Sequence, residues 1–265
     1  MPSTSTSETA AAPEPVTNPP DDPSDGDEPA DDGGCGAGMA LVSGGTLWMG
    51  SPEGQGKPDE HPRFAKEVKA FCLDVAEVSV ADFQACVKND ICDALPDSVE
   101  GLKLKPAQQE KKSALCSARL GDADLPLSCV TQEAAVKLCR WKGRRLPTEP
   151  ELEWAATGGA DKLPYPWGTS QPDDNKLCWK KDAPCKVRSR PPGAFGIHDL
   201  AGNLAEWTST RYGAYPGPVL KADKIVVRGS SFRATKPDEV VAQRRGARDL
   251  ATADVDLGFR CAKDR

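Results

Sequence analysis

The stretch HDLAGNLAEW, residues 198–207, sets two carboxylates on either side of a glycine. Asp199 and Glu206 supply hard oxygens, and Gly202 lets the backbone bend so that main-chain carbonyls can face the same point. Calcium takes six to eight oxygen ligands, many from the backbone, so this pattern suits a calcium site. The plainer reading is that both acids only cap turns. Ten cysteines are the second chemical resource. Their even number and close spacings favour disulfides and an oxidising compartment. Local spacing suggests Cys86 with Cys92, Cys116 with Cys129 and Cys178 with Cys185, although sequence alone does not fix connectivity. The alternative is a cytosolic chain of ten free thiols. The two histidines, His61 in a charged loop and His198, do not make a metal site.

These residues need elements to hold them. Residues 1–34 contain nine acidic residues, no Lys or Arg, and almost no large apolar side chain. Such a segment cannot bury enough surface to offset its chain entropy, and is expected to be a disordered acidic tether ahead of one domain over residues 35–265. With those nine acids set apart from the 40 in the chain, 34 basic residues face 31 acidic ones. A near-neutral domain gives no electrostatic basis for nucleic-acid binding. No apolar run approaches the roughly 20 residues of a membrane helix, so no transmembrane segment is expected. The opening MPSTSTSETAAAP has no apolar signal core. Either a signal or lipoprotein leader is missing from this start, or the thiols are reduced. DDGGC is not a lipobox, which makes Cys35 a poor acylation site. The cysteine content favours a secreted or cell-envelope protein over a cytoplasmic one.

Within the domain, alternating apolar residues around Gly44 and Gly45 predict a strand, a turn and a strand, and AKEVKAFCLDVAEVS reads as a further strand. Ser79 begins a helix, with Asp82 three residues on and Val80, Phe83 and Val87 as its apolar stripe. Thr131 caps a second helix that stops at Gly143. Thr148 and Glu151 box a third, with Pro150 in the permissive first turn, Leu152 and Trp154 packing inward, and Gly158 at its end. From Ala160 onward short strands and turns are expected. The whole reads as one mixed α+β domain.

Seven motifs occur in the order and spacing of the formylglycine-generating enzyme, or sulfatase-modifying factor, family. They are MALVSGGTLWMGS, FCLDVAEVSVADFQAC, LCRWKGRRLPTEPELEWAATGG, YPWG, GAFGIHDLAGNLAEWTS, VVRGSSF and LGFRCAKD. The resemblance spans Gly38 to Asp264. It implies a single α+β domain of the C-type-lectin-like type, poor in regular secondary structure. It implies structural calcium on the side chains of Asp199 and Glu206 and the carbonyls of Gly202 and Leu204. Relatives commonly have Asn at position 199; Asp keeps an oxygen ligand and adds charge. A second family calcium site would involve Asn175, the carbonyl of Lys176 and Asp182, although the spacing differs here. The resemblance also implies a Cys139–Cys261 disulfide, which leaves Cys35 for Cys72. The related iron-dependent sulfoxide synthases use three histidines, which His61 and His198 cannot reproduce.

In active members of the family, a pair of cysteines soon after the Gly-Ser-aromatic motif binds copper(I), and a substrate cysteine in a Cys-x-Pro-x-Arg sequence is oxidised to formylglycine. Here the matching positions are Ala234 or Thr235 and Glu239 or Val240, and no cysteine lies between Cys185 and Cys261. None of these four residue types replaces a thiolate on copper(I), so copper is not expected. Lectin-like members use the same final stretch to bind ligands. Here it offers Arg228, Ser231, Arg233, Arg245 and Arg248 for a peptide or glycan, with a structural arginine network as the competing reading. Arg228 and Arg248 match positions that the family keeps basic, which suits structure and cleft walls. Three functions follow: an exported, disulfide- and calcium-stabilised binding module, an oxidoreductase using a non-standard site, or an interaction protein without a small ligand. The oligomeric state is not legible.

Overall fold

Alternating apolar residues on either side of Gly44 build the first sheets. The computed structural model describes Met1 and residues 34–95, 113–219 and 223–265. In it β1 (Met39–Val42) pairs antiparallel with β4 (Phe71–Asp74), and β2 (Gly45–Met49) with β3 (Phe64–Val68). The single strand expected across AKEVKAFCLDVAEVS is therefore two. Val42 faces Phe71 and Gly45 faces Val68, so the register crosses the break without a slip. The ladder opens there because the Ser43 carbonyl turns away to accept the Trp154 indole N–H at 2.6 Å. A Cβ on Gly44 would lie 2.7 Å from Val68 O and Ala70 N, so this crossing requires glycine. β9 (Ala262–Asp264) covers the other edge of β4.

Among the described residues are three α-helices, each begun by the cap its sequence predicts. α1 (Val80–Lys88) has the Ser79–Asp82 box and buries Val80, Phe83 and Cys86. α2 (Gln132–Trp141) is capped by Thr131 and followed by Gly143 at φ 69°. α3 (Glu149–Ala156) has the Thr148–Glu151 box and is buried on all sides, Leu152 and Trp154 included. Three of its buried residues, Glu149, Glu151 and Glu153, are acids and therefore demand partners.

The second half of the chain forms a four-stranded sheet of β5 (Ala205–Arg211), β6 (Lys224–Arg228), β7 (Arg245–Asp249) and β8 (Leu257–Gly258). Its order is β7-β6-β5-β8, with only β5 and β8 parallel. Trp207 on β5 is fully buried against α1, α2 and β8 residues, and its indole N–H donates to Val130 O at 3.0 Å.

All ten cysteines are paired: Cys35–Cys72, Cys86–Cys92, Cys116–Cys129, Cys139–Cys261 and Cys178–Cys185. Cys139–Cys261 links α2 to the end of the chain across 122 positions. Five disulfides fit an oxidising environment. The described residues from Gly34 onward belong to one compact unit, Asp32–Arg265. The tether expected over residues 1–34 lies outside the described residues, apart from its two end positions. No described helix is long and apolar enough to cross a membrane.

Candidate functional site

The loop HDLAGNLAEW coils into β5 through three left-handed residues, Asp199, Gly202 and Asn203, at φ 57°, 81° and 53°. Gly202 is required at its position, since a Cβ would stand 2.5 Å from Cys178 O. The coil gathers buried carboxylates. Glu206 accepts from Arg260 at both oxygens, 2.7 Å from Nη2 and 2.8 Å from Nε. Arg260 spends its other protons on the carbonyls of Asp74 and His198. The Asp74 carboxylate pairs with Arg144 and accepts Cys261 N–H. Glu77 accepts Leu204 N–H at 2.8 Å and the Asn203 amide at 2.5 Å, and Asp199 accepts Arg188 N–H at 2.9 Å. Thus Asp74 and Glu206 are ion-paired, whereas Glu77 and Asp199 are held only by amides. Burial raises the pKa of all four, and the neighbouring charges of Asp199 and Glu206 raise that of Glu77 further.

Two of the four acids, Glu77 and Asp199, are held by amides alone, and the donors are all hard oxygens. That chemistry fits calcium. Among the described residues no three side chains of His, Cys, Asp or Glu converge on one point as a metal cage. A cation here would therefore rely on carbonyls as well as on Asp199 and Glu206. The second set lies beside the Cys178–Cys185 loop. Asn175 and Asp182 are both exposed, Lys176 is bonded to Asp173, and Lys181 pairs with Asp174 at 3.0 Å.

Two of the arginines expected at a ligand surface lie inside. Arg228 and Arg245 are each 3% exposed. Arg245 clasps Glu149 through Nε (2.8 Å) and Nη2 (3.1 Å), and its guanidinium lies 4.0 Å from the Tyr215 ring centre. Arg228 reaches Glu149 at 3.2 Å and Glu153 at 3.0 Å. These arginines answer the buried acids of α3, which is the structural network weighed from sequence. Glu153 Oε2 makes no hydrogen bond despite that approach, and Arg228 Nη2 also donates to Ala242 O at 2.8 Å. Burial pushes the Glu153 pKa up to about 7. Ser231 is also buried and accepts Arg233 N–H, whereas Arg233 is exposed and Arg248 half-buried.

The segment that follows RGSSF is apolar where it turns inward. Ala234 (6% exposed) and Val240 (0%) pack in one cluster with Tyr165, Leu177, Trp179 and Ala201. Tyr165 and Trp167 of YPWG stack at 5.1 Å beside them. Thr235 and Glu239 stay at the surface, bonded to each other through Thr235 N–H at 2.7 Å.

A family model for the sulfatase-modifying factor enzyme 1-like domain matches residues 28–265. The chain belongs to this family. It is 29% identical to the formylglycine-generating enzyme of Bos taurus, over 85% of this chain and 74% of that one. It is 30% identical to the inactive C-alpha-formylglycine-generating enzyme 2 of Mus musculus, over 84% and 85%. It is also 30% identical to the serine/threonine-protein kinase pkn1 of Chlamydia caviae, over 85% of this chain but only 38% of that protein. The chain thus spans well under half of such kinase-named relatives. In fold it is similar to PvdO from Pseudomonas aeruginosa, with a TM-score of 0.68 at 21% identity over 86% of this chain and 94% of that one. The Treponema denticola variable protein 1 is similar too, with a TM-score of 0.64 at 18% identity over 86% and 95%.

Sequence reasoning did not find Glu77, Arg144 or Arg260 as partners in the carboxylate cluster. They stand in the quoted motifs, but no local signal marks the pairing, because each meets the HDLAGNLAEW loop or its neighbours across a long stretch of chain.

Proposed function

We propose that this sulfatase-modifying factor family member is a non-catalytic binding module, exported and stabilised by disulfides and calcium. The observation that carries this reading is where the four candidates for the two copper positions lie: Ala234 and Val240 are buried in an apolar cluster, and Thr235 and Glu239 bond to each other nearer the surface. Aliphatic side chains offer that ion no ligand, and Thr235 and Glu239 offer only hard oxygens in place of soft thiolates. All ten cysteines are committed to disulfides, so no thiolate remains to be borrowed from elsewhere in the chain. Similarity to a mouse relative named as inactive is consistent with loss of the reaction.

Asp199 and Glu206, with the carbonyls of Gly202 and Leu204, would hold the calcium. Bound there, it would supply positive charge to a cluster whose acids outnumber its arginines. Its role is structural. The ligand surface would use Arg233 and Arg248, which reach solvent, whereas Arg228 and Arg245 are spent on Glu149. A copper(I) competition titration against a chromogenic chelator tests the reading. It predicts no copper retained by the protein; one tightly held ion per chain would overturn it.

A further inference from the structure

Next to the apolar cluster that holds Ala234 and Val240 is a depression of about 440 Å³ lined by Lys180, Lys181, Asp182, Arg233 and Thr235. Two backbone bonds clamp its walls together: Lys180 N–H to Ala234 O and Lys181 N–H to Phe232 O, both 2.9 Å. The Cys178–Cys185 disulfide closes the loop that carries both lysines, and Lys180 is held at φ 52°. The backbone of the walls is therefore set before any ligand arrives. Lys180 Nζ rests 3.8 Å over the Trp179 ring and Arg233 lies 5.4 Å from the Phe232 ring centre. Neither has a carboxylate partner among the described residues, and both are exposed. Lys181 shares its charge with Asp174.

We propose that this pocket binds an anionic sugar, a hexose unit bearing a carboxylate or sulfate. The proposal rests on the binding-module reading and names its ligand class. Lys180, Lys181 and Arg233 supply charge-assisted donors for the oxyanion. Asp182 can only accept when ionised, and the Thr235 hydroxyl, whose proton is turned to Glu239 Oε2 at 3.5 Å, offers its oxygen, so this pair suits the donating ring hydroxyls of the same small ligand. An acidic peptide would satisfy the cations but bring few hydroxyl donors to Asp182.

Calorimetry on the full chain tests this with a sulfated glucuronic acid–N-acetylgalactosamine disaccharide, its unsulfated form, lactose, a tetraglutamate peptide and sodium sulfate. The sulfated disaccharide should bind, its unsulfated form should show what the carboxylate alone supplies, and added salt should weaken both. Arg233→Ala and Lys180→Ala should each weaken binding about tenfold, the loss of one charge-assisted contact, at unchanged melting temperature. Four results would overturn the pocket: no disaccharide binding, affinity untouched by both substitutions, tetraglutamate binding as tightly as the sugar, or sulfate alone binding as tightly. Each leaves the non-catalytic reading in place, because that reading fails only on copper retention or peptide oxidation.

Discussion

Arg260 and Glu206 form a two-point ion pair, 2.7 and 2.8 Å, with side chains 0% and 2% exposed. Removing one partner of such a pair leaves a buried uncompensated charge, at a cost of about 3–5 kcal/mol. Arg260→Met should destabilise the fold by that amount in a denaturant titration. Adding Glu206→Gln should recover part of the loss, because the orphaned charge goes with it. A single variant as stable as wild type would contradict the pairing.

Chelation should destabilise the protein if calcium sits among these acids. At a hundredfold excess over its dissociation constant, calcium should raise the melting temperature by about 5–10 °C. Asp199→Ala should lose that increment. Equal melting curves in calcium and in chelator would argue that the cluster is balanced without a metal.

The pH dependence has a defined sign at Glu153. Its pKa is raised from 4.5 to about 7, chiefly by burial, so between those values the folded state holds a proton that the unfolded state has lost. The stability contributed by this group is present below pH 4.5 and is lost as pH rises through 7. Glu153→Gln keeps an acceptor for Gly50 N–H but cannot titrate. Its stability should fall less than that of wild type between pH 5 and pH 8; parallel profiles would contradict the shift.

The disulfides should differ in worth. Chain-entropy reasoning assigns about 5 kcal/mol to Cys139–Cys261, which spans 122 positions, and about 2 kcal/mol to Cys86–Cys92, which spans 6. Paired Ala substitutions measured by urea midpoint should reproduce that order. A reversed order would show that native-state packing dominates.

The three helix starts were legible because Ser79, Thr131 and Thr148 act on donors within three residues. The acids of HDLAGNLAEW were legible as a group, but Arg260, the partner of Glu206, lies 54 positions beyond it, and nothing in the LGFRCAKD motif says which acid it meets. The same distance problem hid the strand break, where Ser43 answers to Trp154. Arg228 and Arg245 fell among the residues considered for a ligand surface, since an arginine-rich stretch reads alike on a surface or against buried acids. The acids that claim them sit on α3, far earlier in the chain. Lys180 and Lys181 escaped notice because their pocket exists only where their loop meets residues 232–234.

The most direct test is mass spectrometry of a Cys-x-Pro-x-Arg peptide incubated with the full chain, copper(I) and oxygen, beside an active family member. The packing of Ala234 and Val240 predicts that the peptide cysteine stays a thiol while the control converts it. Formylglycine in the test sample would contradict the non-catalytic assignment and require a ligand set other than the missing cysteine pair.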